Sequence, residues 1–185
     1  MANTDAAFGF RPVEKMGSGP NGKLNPYKVA SNEAGKLHQG DAVMPDSGFI
    51  QQANIASDIC GVFWGAKYDD PTTQKPTFTN FLPAAVGAVA DAFVYDDPFQ
   101  VFEIQGDSGT ASLQTQIFQS ADIVDAQGST TTGISGQELD SSDISATAQQ
   151  CIIMGFSGDP ERGAIDTSGH AVYKVLIQQH VFSCL

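Results

Sequence analysis

Two stretches late in the chain decide the fold class: Gln149-Gln150-Cys151-Ile152-Ile153-Met154-Gly155-Phe156, and His170-Ala171-Val172-Tyr173-Lys174-Val175-Leu176-Ile177-Gln178-Gln179-His180-Val181. In the second, Val172, Lys174 and Leu176 alternate with Tyr173, Val175 and Ile177, which is the period of two that a strand imposes on its side chains. Both faces are largely apolar, which predicts a strand buried on both sides, or on one side with a subunit contact on the other. Towards the N-terminus, short apolar runs recur at residues 37–43, 49–50, 59–64, 78–82, 85–95 and 100–105, each bounded by Pro, Asp or Gly. Residues 113–118 read as strand or short helix, 122–124 as a brief extended piece and 127–136 as a Ser/Thr/Gly loop. No 3.6-residue period is sustained, so the expectation is an all-β fold, either a compact β-barrel or a β-sandwich.

At 185 residues, the chain has the length of one ordinary domain. With 41% hydrophobic residues it can bury a core without disulfides or a structural metal. No run approaches the ~20 apolar residues of a membrane-spanning helix, and the first residues lack the basic and apolar regions of a secretory signal. The net charge is -12, and it is unevenly spread. Residues 1–75 hold seven basic and eight acidic side chains, whereas residues 76–169 hold thirteen acidic groups and Arg162 alone. That sign argues against direct nucleic-acid or anionic-membrane binding.

Residues 1–30 read as an extended N-terminal arm attached to a single β-rich domain of residues 31–185. Gly9, Pro12, Gly17, Gly19, Pro20, Gly22 and Pro26 interrupt every long element, and an arm of this kind must lie against its own barrel or a neighbouring chain. Phe8, Phe10 and Tyr27 are its apolar anchors. An extended backbone also offers edge hydrogen bonds to a partner, so the arm is expected to serve attachment more than folding.

The chemistry-bearing residues form no strong motif. His38, His170 and His180 lack the local spacing of a helical metal motif or a zinc ribbon and are assigned ordinary structural roles. Cys60, Cys151 and Cys184 have no CxxC spacing; the first two, flanked by isoleucines, read as small buried hydrophobes. Gly17-Ser18-Gly19-Pro20-Asn21-Gly22 fits neither a dinucleotide fingerprint nor a phosphate-binding loop. Asp69-Asp70 and Asp96-Asp97 recur in the same Tyr-Asp-Asp-Pro setting, at residues 68–71 and 95–98, where Asp commonly caps backbone N–H groups. These pairs are expected to be turn groups, with cation binding or acid–base work as the alternatives. Phe63 and Trp64 lie in an apolar run without basic neighbours, which predicts core or interface anchors rather than a base-stacking platform.

The order of several weak motifs resembles the small head decoration, or cement, proteins of tailed bacteriophages. The resemblance runs through Ala6-Ala7-Phe8-Gly9-Phe10-Arg11-Pro12-Val13, Gly22 and Asn25-Pro26-Tyr27, then Gly40-Asp41-Ala42-Val43 and Gly61-Val62-Phe63. It continues with Asp96-Asp97-Pro98 before Phe102-Glu103-Ile104-Gln105, and Gly128-Ser129-Thr130-Thr131-Thr132-Gly133 before Glu138-Leu139-Asp140. Val175-Leu176-Ile177 before His180 completes it. The resemblance implies a noncatalytic viral structural protein with no catalytic, metal or cofactor positions. Its place would be the outer surface of the capsid in the virion, bound to the major capsid protein and to identical subunits as a homotrimer. Phe8, Phe10, Arg11, Tyr27, Phe63 and Trp64 are the contact residues this reading selects. A carbohydrate-binding β module and a head or tail fibre component are the alternatives.

Overall fold

The computed structural model describes residues 3–18, 22–29, 37–83, 86, 90–107, 113–159 and 170–183. Six strands form the first sheet: β2 (Asn25–Val29), β3 (Ala42–Asp46), β4 (Phe49–Gln52), β5 (Gly61–Asp69), β6 (Pro76–Thr79) and β7 (Ala90–Tyr95). Their order is β3-β4-β2-β7-β5-β6, and a further β3–β5 pairing joins Ala42 to Val62 and Val43 to Gly61. That last pairing closes β3, β4, β2, β7 and β5 into a five-stranded barrel with β6 appended to the far half of β5. The pairings are antiparallel except β2–β4, which meet in parallel at Val29 and Ile50. A bulge between Phe63 and Gly65 bends β5, so this one long strand can serve β3 at its start, β7 along its middle and β6 at its end. Gly61 is required by close approach: a Cβ there would stand 2.3 Å from the Tyr95 carbonyl oxygen.

The second sheet has the order β1 (Arg11–Lys15), β8 (Gln100–Gln105), β13 (Val172–Ile177), β12 (Cys151–Phe156), β9 (Ser120–Ala121), and all its pairings are antiparallel. A two-stranded ladder, β10 (Ile123–Val124) with β11 (Glu138–Leu139), lies outside both sheets. The barrel encloses one core, including Val29, Val43, Ile50, Phe63, Ala92 and Val94. The second core includes Phe10, Phe102, Ile104, Ile153, Tyr173, Val175 and Ile177 of the sheet, together with Ala42 and Val62 of the barrel. Alternation explains the sharing. On β3, Val43 belongs to the barrel core and Ala42 to the sheet core; on β5, Phe63 and Val62 divide in the same way. The barrel wall at β3 and β5 is thus buried on both sides, and the unbroken apolar reading of residues 59–64 follows from that. On β13, Tyr173, Val175 and Ile177 face the core while Lys174 and Leu176 on the other face are half-buried.

Residues 1–30, expected as an extended arm lying against its own barrel or a neighbouring chain, supply a strand to each sheet. Residues 11–15 form the edge strand of the second sheet, and residues 25–29 are a barrel strand between β4 and β7. Phe10 is 1% exposed and makes an edge-on contact with Phe102 at 5.8 Å. The breaks in this region do prevent a local core, but they permit short strands whose partners lie about 60 to 90 residues away. Pro12 is accommodated on an edge strand, and Pro26 at a point where β2 is paired to β7 alone, since β4 reaches β2 only at Val29. Gly9 adopts φ +66°, and a Cβ there would lie 2.5 Å from the Gly40 carbonyl oxygen, so the approach to β1 is built for glycine. Of the expected 85–95 strand, residues 90–95 form β7, while 85 and 87–89 lie outside the described residues. The 113–118 segment contains a 3-10 turn, Gln114–Gln116.

Buried glutamines from the second half of the chain fasten it to β3 and to the β4–β5 connection. Gln137 accepts the Ala42 N–H at 2.7 Å and donates to the Ala53 carbonyl at 3.2 Å. Gln150 accepts the Ile123 N–H at 3.1 Å and donates to the carbonyls of Asn54 and Ser57 at 2.8 and 2.9 Å. A neutral amide offers both donor and acceptor without the desolvation cost of a charge, which suits a chain with so few ions.

Candidate functional site

The turn from β7 to β8 carries one of the two Tyr-Asp-Asp-Pro sequences and gathers side chains from distant parts of the chain. Asp96 accepts from Asn25 Nδ2 at 2.9 and 2.7 Å and from the Tyr27 hydroxyl at 2.6 Å. Asp97 pairs with Lys15, accepts the Phe99 N–H at 3.0 Å through its side chain, and accepts the Gln100 N–H through its backbone. A cleft of about 450 Å³ opens here, lined by Lys23, Asn25, Tyr27, Asp96, Asp97 and Phe182. Phe182, 46% exposed, belongs to its lining, and further exposed apolar residues adjoin that lining along the chain: Val181 next to Phe182, and Phe99 two residues after Asp97. The Met16 N–H donates to the Phe99 carbonyl at 2.9 Å, which ties the turn after β1 to the β7–β8 turn.

The titratable groups near the cleft are tuned away from nucleophilic chemistry. Burial and the hydrogen bond to Asp96 raise the Tyr27 phenol above its ordinary value. Burial pushes the Cys60 thiol up to about 12, with the Asp96 charge adding to the effect, so Cys60 holds its proton at neutral pH. Cys151, the other free thiol among the described residues, is likewise buried, and its pKa is raised chiefly by desolvation. His180 is buried, accepts the Phe182 N–H on Nδ1 at 3.0 Å, and leaves Nε2 buried without a partner. Burial lowers its pKa, although Asp96 and Asp97 pull the other way.

This histidine has a consequence for stability. Above the unfolded-state value of 6.5 both states are neutral at this position and it contributes nothing to the pH dependence. As pH falls below 6.5 the unfolded chain takes the proton first, and stability drops until the lower folded-state pKa is reached. Urea midpoints measured from pH 8 to pH 5 should fall more steeply for the wild type than for His180→Asn, whose amide oxygen can still accept the Phe182 N–H. Equal slopes would show that His180 is not held neutral by burial.

The six residues expected to make contacts separate into two groups. Phe10 and Phe63 are core residues, 1% and 0% exposed, and neither can reach a partner. The reason is the same for both: each sits where a strand turns one face into a core, a placement invisible in a local apolar run. Phe8 and Arg11 lie together on the surface, the guanidinium 4.4 Å from the ring centroid. Tyr27 lines the cleft, and Trp64 is half-buried, edge-on to Tyr95 at 5.4 Å, beside the same turn. Met16, Phe99 and Phe182 were not anticipated; an isolated aromatic beside a turn residue gives no sequence signal until the fold assembles its neighbours.

The two aspartate pairs occupy opposite ends of the barrel. Strands β5 and β7 are antiparallel, with Val62 opposite Tyr95 and Lys67 opposite Asp91, so Asp69-Asp70 and Asp96-Asp97 lie roughly 25 Å apart at about 3.3 Å per residue. Asp70 accepts the N–H groups of Thr72 and Thr73, both at 2.8 Å, and these bonds lower its pKa. Asp70 and Asp97 therefore cap turns, and the four carboxylates do not form one site. The buried His38 donates its backbone N–H to Asp41 at 2.7 Å and stacks on Phe81, which is a structural placement.

Comparisons with known protein families, curated proteins and solved structures found no match.

Proposed function

We propose that the chain is a noncatalytic decoration protein that binds the outer surface of a tailed-phage capsid, associates with identical subunits as a trimer, and stabilises the head by bridging major capsid proteins. The observation that carries this reading is a cleft lined by the exposed Phe182 whose carboxylates are already engaged by Asn25, Tyr27 and Lys15, with an apolar rim formed by Phe182, its neighbour Val181, and the exposed Phe99 and Met16 of the adjoining turns. Exposed aromatics clustered beside satisfied polar groups suit docking on a protein surface better than recognition of a small polar ligand. The motif order described above and the all-β architecture agree with that reading. The net charge of -12 supports it from another side, because a negative surface discourages adsorption to packaged or released DNA.

A carbohydrate-binding module is the second reading, favoured by the presence of Tyr27 and Phe182 in one cleft with Asn25 and the aspartates. It is the weaker reading, because a sugar would have to displace the Tyr27–Asp96 and Asn25–Asp96 hydrogen bonds. The deciding experiment compares particles fully decorated with and lacking this protein, under heating and mechanical stress, with copy number counted on the intact head. Decorated heads should withstand the higher temperature. Equal disruption thresholds at full and absent occupancy would remove the cementing role, and saturable glycan binding blocked by Tyr27→Ala would favour the second reading.

A further inference from the structure

Away from the cleft, the N-terminal segment, β11 and the residues leading into β13 meet at one place. Gln105, buried at the end of β8, organises the meeting: its Nε2 donates to the carbonyls of Thr4 at 2.9 Å and His170 at 3.1 Å, and its Oε1 accepts the Ala6 N–H at 2.8 Å. Asn3 Nδ2 donates to the same His170 carbonyl at 3.2 Å. The backbone on both sides of Asp5 is thereby fastened beside His170. Asp5, Glu138 and His170 each bring one potential ligand atom to this point, and the three atoms lie within 4.8 Å of one another. Ligands bonded to one metal at about 2.0–2.2 Å stand roughly 3.4 Å apart in a tetrahedral shell, so the trio contracts slightly on binding, and the exposed Asp5 is the member least held by packing.

Two details separate this trio from an ordinary group of surface acids. Glu138 Oε1 is buried and has no hydrogen-bond partner, although a buried carboxylate oxygen normally has one. His170 Nδ1 lies 3.3 Å from the Gly106 carbonyl; donation there fixes the ring and places the lone pair on Nε2, the arrangement that commonly orients a metal-binding imidazole. Desolvation, then the charges of Asp5 and Asp107, push the Glu138 carboxyl up to about 7, with His170 pulling the other way. Asp107 is itself occupied by the Ser141 N–H and hydroxyl, at 3.0 and 2.7 Å.

We propose that Asp5, Glu138 and His170 bind a divalent transition-metal ion of the zinc type, which pins the N-terminal segment to β11 and to the start of β13. One imidazole with two carboxylates suits zinc and its first-row neighbours, whereas calcium and magnesium prefer shells made of oxygen alone. The ligands come from positions 5, 138 and 170, so the ion would cross-link segments that are far apart in the chain. Its role is structural, and it stands whether or not the capsid reading does.

The test is titration of the chelator-treated full-length chain with zinc chloride, followed by calorimetry and by thermal unfolding. One equivalent should bind, and at free zinc of 100 times Kd the folded-to-unfolded ratio should rise about 100-fold, reversed by chelator. Glu138→Gln and His170→Ala should abolish the response. Asp5→Asn, at an exposed position where folding is not at risk, should weaken it while the metal-free chain still unfolds cooperatively. Absence of saturable zinc binding, binding that survives Asp5→Asn and Glu138→Gln together, or calcium binding as tight as zinc would each overturn the assignment.

Discussion

A chain lacking residues 1–30 is expected not to reach the native fold. The deletion removes β1 from the edge of the second sheet, which by itself a sheet can tolerate, but it also removes β2, which stands between β4 and β7 in the barrel. Without β2 the barrel has two unpaired strand edges, and the barrel core loses Val29 together with the cover of Tyr27. Phe10 leaves the other core at the same time. The single substitution Phe10→Ala should already cost about 3–5 kcal/mol, which is a large part of the 5–15 kcal/mol that ordinarily holds a domain together. Circular dichroism and urea unfolding measure both. The truncated chain should show no cooperative transition, and Phe10→Ala should fold with a markedly lower midpoint. A truncated chain that unfolds cooperatively from a native-like spectrum would restore residues 1–30 as an arm serving attachment alone.

The contrast between what was and was not legible follows from how far each signal reaches along the chain. Strands β12 and β13 could be read because their alternation is local and their inner face is uniformly apolar; Tyr173, Val175 and Ile177 all lie in the core. The turn roles of Asp70 and Asp97 could be read for the same reason, since each carboxylate caps an N–H two or three residues ahead. The role of β2 could not, because Asn25–Val29 pairs with residues 90–94, and nothing within its own five residues distinguishes a barrel strand from a docking arm. Histidine spacing fails in the same way. A search for ligands at helical or zinc-ribbon intervals passes over Asp5, Glu138 and His170, which meet only because Gln105 fastens the first and third side by side. Gln100, Gln105, Gln137 and Gln150 are buried, and nothing local in the sequence marks a neutral polar side chain as interior when its partners are backbone groups of distant segments.

Loss of the apolar rim should cost capsid occupancy far more than a rise in salt does. Phe182 lines the cleft with Asp96 and Asp97, and Phe99 follows that turn, its N–H held by Asp97; both are exposed and outside the two cores, so replacing both by serine removes two aromatic anchors without touching either core. Central aromatic anchors are commonly worth about 2 kcal/mol each when truncated, which makes the double variant roughly 1,000-fold weaker if the two act independently. The ions near the rim offer much less. Lys15 is committed to Asp97, and exposed pairs contribute only about 0–1 kcal/mol each, an amount that salt screens further. Phe8 with Arg11, and Trp64 against Tyr95, remain as the outward members of the originally selected set, and Phe8→Ser or Trp64→Ser alone should produce a smaller loss than the Phe99/Phe182 pair. Occupancy is read by quantifying bound protein on purified heads over a salt series for the wild type and these variants, after urea unfolding confirms that each is folded. A steep fall with salt alongside near-wild-type binding of the double variant would mean that the acidic surface, not the apolar rim, meets the shell, through basic groups on the capsid side.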